Sequence, residues 1–115
     1  MLRFPHADMA QGKLRPALLL GELPGRHGDV LLCMISSQLH HAVAGFDEVI
    51  HDHSDDFSCS GLKSSSVIRL GRLAVASPEI LEGSIGWISP GRFSRLIDRL
   101  QAWLEEKKVG EAISK

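Results

Sequence analysis

One segment decides most of what this chain can become. Between Asp29 and Ser37 runs an unbroken apolar stretch, Val30-Leu31-Leu32-Cys33-Met34-Ile35. Strands whose residues are apolar at both parities are buried on both faces, so this run predicts a central strand covered above and below. The uncharged stretch that contains it, Val30 to Phe46, includes Ser36, Ser37, Gln38, His40 and His41. It is too polar and slightly too short to cross a bilayer, which takes about 20 apolar residues.

The remaining elements follow from periodicity. Ala17–Leu20 is a brief apolar run opened by Pro16 and closed by Gly21, and Glu22–Gly28 reads as a turn through Pro24, Gly25 and Gly28. Phe46–Ile50 predicts a short strand, His51–Ser60 a polar acidic loop, Ser65–Leu73 a half-buried strand and Ser84–Ile88 a last one. Ser77-Pro78-Glu79 has the form of a capped single turn. From Ser89 onward the pattern is helical: Ser89 caps, Pro90 opens, and Phe93, Leu96, Ile97, Leu100, Trp103 and Leu104 form one apolar stripe. Arg92, Arg95, Arg99, Glu105 and Glu106 are expected to face elsewhere. Many short strands followed by one amphipathic helix predict a mainly β chain, a small curled barrel with the helix packed against it.

At 115 residues the chain has room for one domain, read as a strand-rich body over about 1–88 and a helix over about 90–106. Its 13 Lys+Arg against 14 Asp+Glu give a net charge of −1, which excludes nucleic-acid binding through bulk charge and requires any basic surface to be local. Two cysteines, Cys33 and Cys59, do not make a disulfide framework. With no apolar segment resembling a secretory leader in Met1–Arg15, the expectation is a reducing cytoplasm and no membrane.

Four constellations could carry chemistry. Arg15 precedes Pro16, which holds it extended at the entrance of a strand, either as a directed phosphate ligand or as an ordinary surface arginine. Ser36-Ser37-Gln38 leave the apolar strand where it meets solvent, placed for a phosphate or base edge, or for simple turn chemistry. Arg69 alternates with Ile68, so it projects from the opposite sheet face and either clamps a phosphate or solvates that face. His51 and His53, with His40 and His41 upstream, offer imidazoles, but their spacing matches no established zinc pattern and no metal is expected. No Gly-rich phosphate loop, CxxC, HExxH or GxSxG occurs.

Taken in chain order, these segments resemble the PemK/MazF family of toxin endoribonucleases. The resemblance rests on Phe4-Pro5 with Asp8, on Gly12-Lys13-Leu14-Arg15-Pro16-Ala17-Leu18-Leu19-Leu20, and on Asp29 through Gln38. Ser60-Gly61-Leu62, Ser66-Val67-Ile68-Arg69-Leu70 and Ile85-Gly86 complete it, over about positions 4–88. It implies an SH3-like curled barrel, a homodimer, an antitoxin partner and sequence-specific cleavage of single-stranded RNA without metal or other cofactor. It puts the catalytic pair on Arg15 and Ser36 and a further functional arginine on Arg69; Lys13, Ser37, Gln38, Arg69 and His6 are the residues expected to bind RNA. An aspartate that one branch of the family carries two positions after the second arginine is Gly71 here. The resemblance also places Met1-Leu2-Arg3-Phe4 partway into the family's first strand, so a late-placed start or a truncated strand with an unpaired edge is expected.

The reaction so implied is attack of a ribose 2′-OH on its own 3′-phosphate, leaving a 2′,3′-cyclic phosphate and a 5′-OH end. Charge collects on the non-bridging oxygens, where preorganised donors contribute most. Arg15 is then the phosphate clamp and a candidate acid, and Ser36 the oxyanion donor. The base is unassigned between His6, His27 and other groups. The alternative is a catalytically inactive or protein-targeting module on the same scaffold, as in the CcdB-type gyrase poisons, because function lives in the site rather than the fold.

Overall fold

The computed structural model describes the backbone of residues 2–9 and 13–108, and the side chains of 15–108 except 82 and 84. Six strands, β1 (Leu2–Met9), β2 (Lys13–Glu22), β3 (Val30–Ser36), β4 (Glu48–Ile50), β5 (Ser66–Ala76) and β6 (Leu81–Ile88), form one sheet in the order β4-β5-β3-β2-β1-β6. Two helices, α1 (Phe57–Ser60) and α2 (Pro90–Lys107), and two 3₁₀ turns, Leu39–His41 and Pro78–Ile80, complete it. Every described strand pairing is antiparallel.

The apolar run is β3, and it is central: β2 pairs along one edge and β5 along the other. Its two parities feed two cores. Cys33 and Ile35 pack with Leu18, Ile50, Ile68, Leu70, Ile88 and Leu96, while Val30 and Leu32 pack on the other face with Ala17 and Ala76. The Cys33 thiol is completely buried and pushed up to about 12, by burial first and then by the Asp47 carboxylate, so it behaves as a small hydrophobe.

The sheet curls. α1 follows β4 at one end of the sheet, yet its C-terminal turn rests on β6 at the other: a Cβ on Gly86 would lie 2.2 Å from the Cys59 carbonyl oxygen. Ile50 of β4 and Ile88 of β6 share one core. The fold is therefore a small curled β barrel with a C-terminal helix, as the pattern predicted. β1 is formed over eight residues and pairs with both β2 and β6, so the open edge expected beside β2 is absent.

Three local expectations need correction. Pro16 lies inside β2 rather than before it. It stands opposite His6 of β1, just before the span Ala17–Glu22 that pairs with β3, where a missing N–H is tolerated. The His51–Ser60 loop ends in the helical turn α1, closed by Gly61 at φ 73°. Ser77 stands before the Pro78–Ile80 turn, but its side chain makes no capping hydrogen bond.

Helix α2 starts as its sequence specifies, with the Ser89 hydroxyl accepting the Arg92 N–H at 3.2 Å and Pro90 in the first turn. Phe93, Leu96 and Leu100 pack on the core, but Trp103 and Leu104 are 45% and 54% exposed, so the stripe stops being buried one turn early. Arg92 does not face solvent. Its guanidinium grips Asp56 through Nε (2.9 Å) and one terminal nitrogen (3.1 Å), and reaches Glu48 and the Val49 carbonyl at 3.0 Å each. Arg95 and Arg99 also bind Glu48, at 3.0 and 2.7 Å. One face of α2 is thus bolted by three arginines to β4 and to the loop before α1.

Candidate functional site: a cationic groove at the end of β3

An open groove of about 770 Å³ lies where β3 leaves the sheet. Arg15 and Pro16 enter it from β2, Met34, Ile35 and Ser36 from β3, and Arg69 and Arg72 from β5. Ser37, Gln38 and His41 follow β3 on one side, and Gly61–Ser64 close another. Among the described lining residues, four carry fixed positive charge (Arg15, Lys63, Arg69 and Arg72) and none is acidic. In a chain of net charge −1 that segregation gives the groove a locally positive potential.

The backbone explains how two arginines of β5 reach one cavity. Residues three apart on a regular strand point to opposite faces. Here β5 is bulged: Met34 pairs with Arg69 but Cys33 pairs with Leu73, leaving Leu70, Gly71 and Arg72 as extra residues. The bulge inverts the parity and brings Arg72 beside Arg69 at the groove. It also frees the Leu70 N–H, which the buried Asp47 carboxylate accepts at 3.0 Å while its other oxygen accepts Val43 N–H at 2.8 Å. Asp47 therefore holds both the bulge and the loop that precedes β4.

At the centre stands Ser36. Its Oγ lies 3.1 Å from His41 Nδ1 and accepts the Gln38 N–H at 3.0 Å. Arg69 approaches the same Nδ1 at 3.4 Å, a long contact. Burial first, and then the charges of Arg69, His40 and Arg72, hold the His41 imidazole below the ordinary histidine value, so it favours the neutral form.

Of the residues singled out from sequence, Arg15, Ser36, Ser37, Gln38 and Arg69 all line this one groove. His6 lies in β1 opposite Pro16 and Gly83, and Lys13 in β2 opposite Met9; their side chains lie outside the described residues. His27 is exposed in the β2–β3 turn and is not among the lining residues, which argues against it as a base. His51 and His53 stack ring on ring at 5.1 Å, away from the groove lining, and no metal-binding group of three or more side chains occurs among the described residues. No lining residue comes from His51–Ser60; the neighbouring segment Gly61–Ser64 takes that place.

The sequence pattern marks neither Arg72 nor Lys63, and it groups His41 with the other histidines as a metal candidate rather than with Ser36. Arg72 becomes legible only with the bulge. His41 becomes legible only once the 3₁₀ turn Leu39–His41 folds the chain back onto Ser36.

The chain is a small curled barrel of the SH3-like kind, with a groove at the end of its central strand whose charged side chains, among the described lining residues, are all basic. The sequence profile of the PemK-like, MazF-like toxins of type II toxin–antitoxin systems matches residues 1–104, and the chain belongs to that family. A search of curated proteins finds no match. Membership makes the chain the toxin of a toxin–antitoxin pair and implies an antitoxin partner. Among the described residues, no helix is long and apolar enough to cross a membrane.

Proposed function

We propose that the chain is a sequence-specific endoribonuclease that cuts single-stranded RNA in the cytoplasm as a homodimer, without a metal ion, through the groove at Arg15 and Ser36. The observation that carries this reading is the charge segregation: Arg15, Lys63, Arg69 and Arg72 share one open groove with a hydroxyl held at its centre. A phosphodiester is the substrate such a groove fits. Arg15 clamps the scissile phosphate across two oxygens with its planar fork. Arg69 and Arg72 add positive charge where the pentacoordinate transition state becomes more negative, and fixed cations contribute most there. Ser36 stands beside the attacking 2′-OH, and Ser37 and Gln38 contact the neighbouring nucleotide. Lys13 and His6 belong to the RNA path along β1 and β2. The cognate antitoxin blocks RNA by covering this groove.

The Ser36 role changes in one respect from the sequence expectation. Its hydroxyl faces His41, so the main donors to the phosphate oxygens are the arginines rather than the serine.

Binding separates this reading from a protein-targeting module. A single-stranded oligoribonucleotide with 2′-deoxy sugars at the cut positions is expected to bind and stay intact. Its log K falls with log[salt] with a slope of about −0.7 per phosphate neutralised, so Arg72→Ala removes about 0.7 from that slope. Salt-independent binding, or no binding at all, would contradict the RNA reading.

A further inference from the structure

Resting on the endoribonuclease reading above, we propose that His41 is the terminal proton acceptor of the cleavage step, reached through the Ser36 hydroxyl. One tautomer satisfies both contacts at His41 Nδ1 and gives the relay its direction. Arg69 can only donate, so in that tautomer the Nδ1 it approaches at 3.4 Å presents a lone pair and the ring proton sits on Nε2. Ser36 Oγ, 3.1 Å from that same Nδ1, must then be the donor of the Ser36–His41 bond. One oxygen lone pair of Ser36 accepts the Gln38 N–H, and a second remains for a hydroxyl arriving in the groove. The resting chain therefore runs Gln38 N–H to Ser36 O–H to His41 Nδ1.

A ribose 2′-OH donating to the free lone pair of Ser36 extends that chain by one link. In the reaction the 2′-OH proton passes to Ser36 Oγ as the Ser36 proton passes to His41 Nδ1. The 2′-oxygen pair forms the new bond to phosphorus, and the phosphorus–O5′ bond breaks with its pair on O5′. That oxygen takes a proton from solvent water at the open mouth of the groove. The hydroxide left behind takes the proton back from the imidazolium, restoring neutral His41. Serine keeps one proton throughout, and no external reagent is consumed.

The surroundings suit a base that must be empty at neutral pH. Arg69 and Arg72 face His41 from β5 and His40 stands beside it on its own turn, while Arg15 and Lys63 line the same groove. No carboxylate is among the described lining residues to trap the imidazolium once formed. The arrangement supplies a base without the aspartate that Gly71 replaces.

The test is the pH dependence of kcat for wild type, His41→Asn and His41→Gln on a single-stranded RNA. Both substitutions keep a hydrogen-bond acceptor for Ser36 and remove the titratable ring. Wild-type kcat is expected to fall on the acid side with an apparent pKa below the ordinary histidine value of about 6.5. Both variants should lose about 10²–10⁴ in kcat and lose that acid limb, with KM unchanged. Added imidazole should raise the rate of His41→Ala. Wild-type kcat with an unchanged acid limb in His41→Asn and His41→Gln overturns the proposal while leaving the endoribonuclease reading intact. RNA left uncut by folded wild-type protein overturns both.

Discussion

Replacing Arg92 by leucine should lower the folding free energy by about 3–5 kcal/mol, the usual cost of removing one partner from a buried ion pair. Leucine fills part of the space but leaves Asp56 without its counter-charge and Glu48 with Arg95 and Arg99 alone, both carboxylates being under a tenth exposed. It also removes the donor to the Val49 carbonyl. Against a total stability of about 5–15 kcal/mol for a domain, such a loss is a large share. Arg92→Lys retains charge but not the planar two-point grip on Asp56, so it should fall between wild type and leucine. Urea midpoints measure both. A loss for leucine of under about 1 kcal/mol would mean that the cluster behaves as a solvated surface pair.

The same cluster couples folding stability to pH. Burial pushes the Asp56 carboxyl up, but the Arg92 guanidinium and the Ser89 N–H outweigh it, leaving its pKa below the ordinary aspartate value. A depressed carboxylate stabilises the fold above its unfolded pKa of about 3.9, and that contribution is lost as pH falls through the lower folded value. Removing Arg92 should flatten this part of the stability–pH curve.

Gly61→Ala should destabilise by about 3 kcal/mol or more, combining left-handed backbone strain with a steric clash. Gly61 closes α1 at φ 73°, and a Cβ there would lie 2.0 Å from the Ile85 carbonyl oxygen and 2.8 Å from its carbon. Both are backbone atoms of β6, so the only relief is to part α1 from the strand. Gly45→Ala is the control, because Gly45 has a similar φ of 78° but nothing within 4 Å of its Cβ position. It should lose only the conformational part, about 1–2 kcal/mol. Equal losses at the two glycines would show that the α1–β6 contact is soft. Gly61, Leu62 and Ile85 also line the groove, so Gly61→Ala should weaken RNA binding as well as folding.

The sequence reveals those features that depend on one residue and its neighbours in the chain. Val30–Ile35 announces a strand with two buried faces because both parities are apolar. Ser89-Pro90 and the stripe through Leu100 announce α2 because capping and the 3.6-residue period are local. Arg15 and Ser36 are visible because each sits at the end of such an element. What stays hidden depends on contacts between distant segments. Arg92 reads as a solvated helix residue until Asp56 and Glu48, 36 and 44 positions away, close around it. Arg72 reads as facing away from Arg69 until the bulge inverts the strand. His41 reads as part of a histidine-rich loop until a single 3₁₀ turn sets it against Ser36. α1 is too short for a periodic signal, and Gly61 alone marks where it stops.

The most direct measurement is cleavage of a long single-stranded RNA in the presence of EDTA by wild type and by Arg15→Ala, with circular dichroism confirming that both are folded. Wild type is expected to yield discrete fragments with 5′-OH and 2′,3′-cyclic phosphate ends. Arg15→Ala should cut at a rate lower by about 10²–10³, the scale for removing one donor from a transition-state anion site. Intact RNA from folded wild type, or equal cutting by the two proteins, would contradict the proposed function.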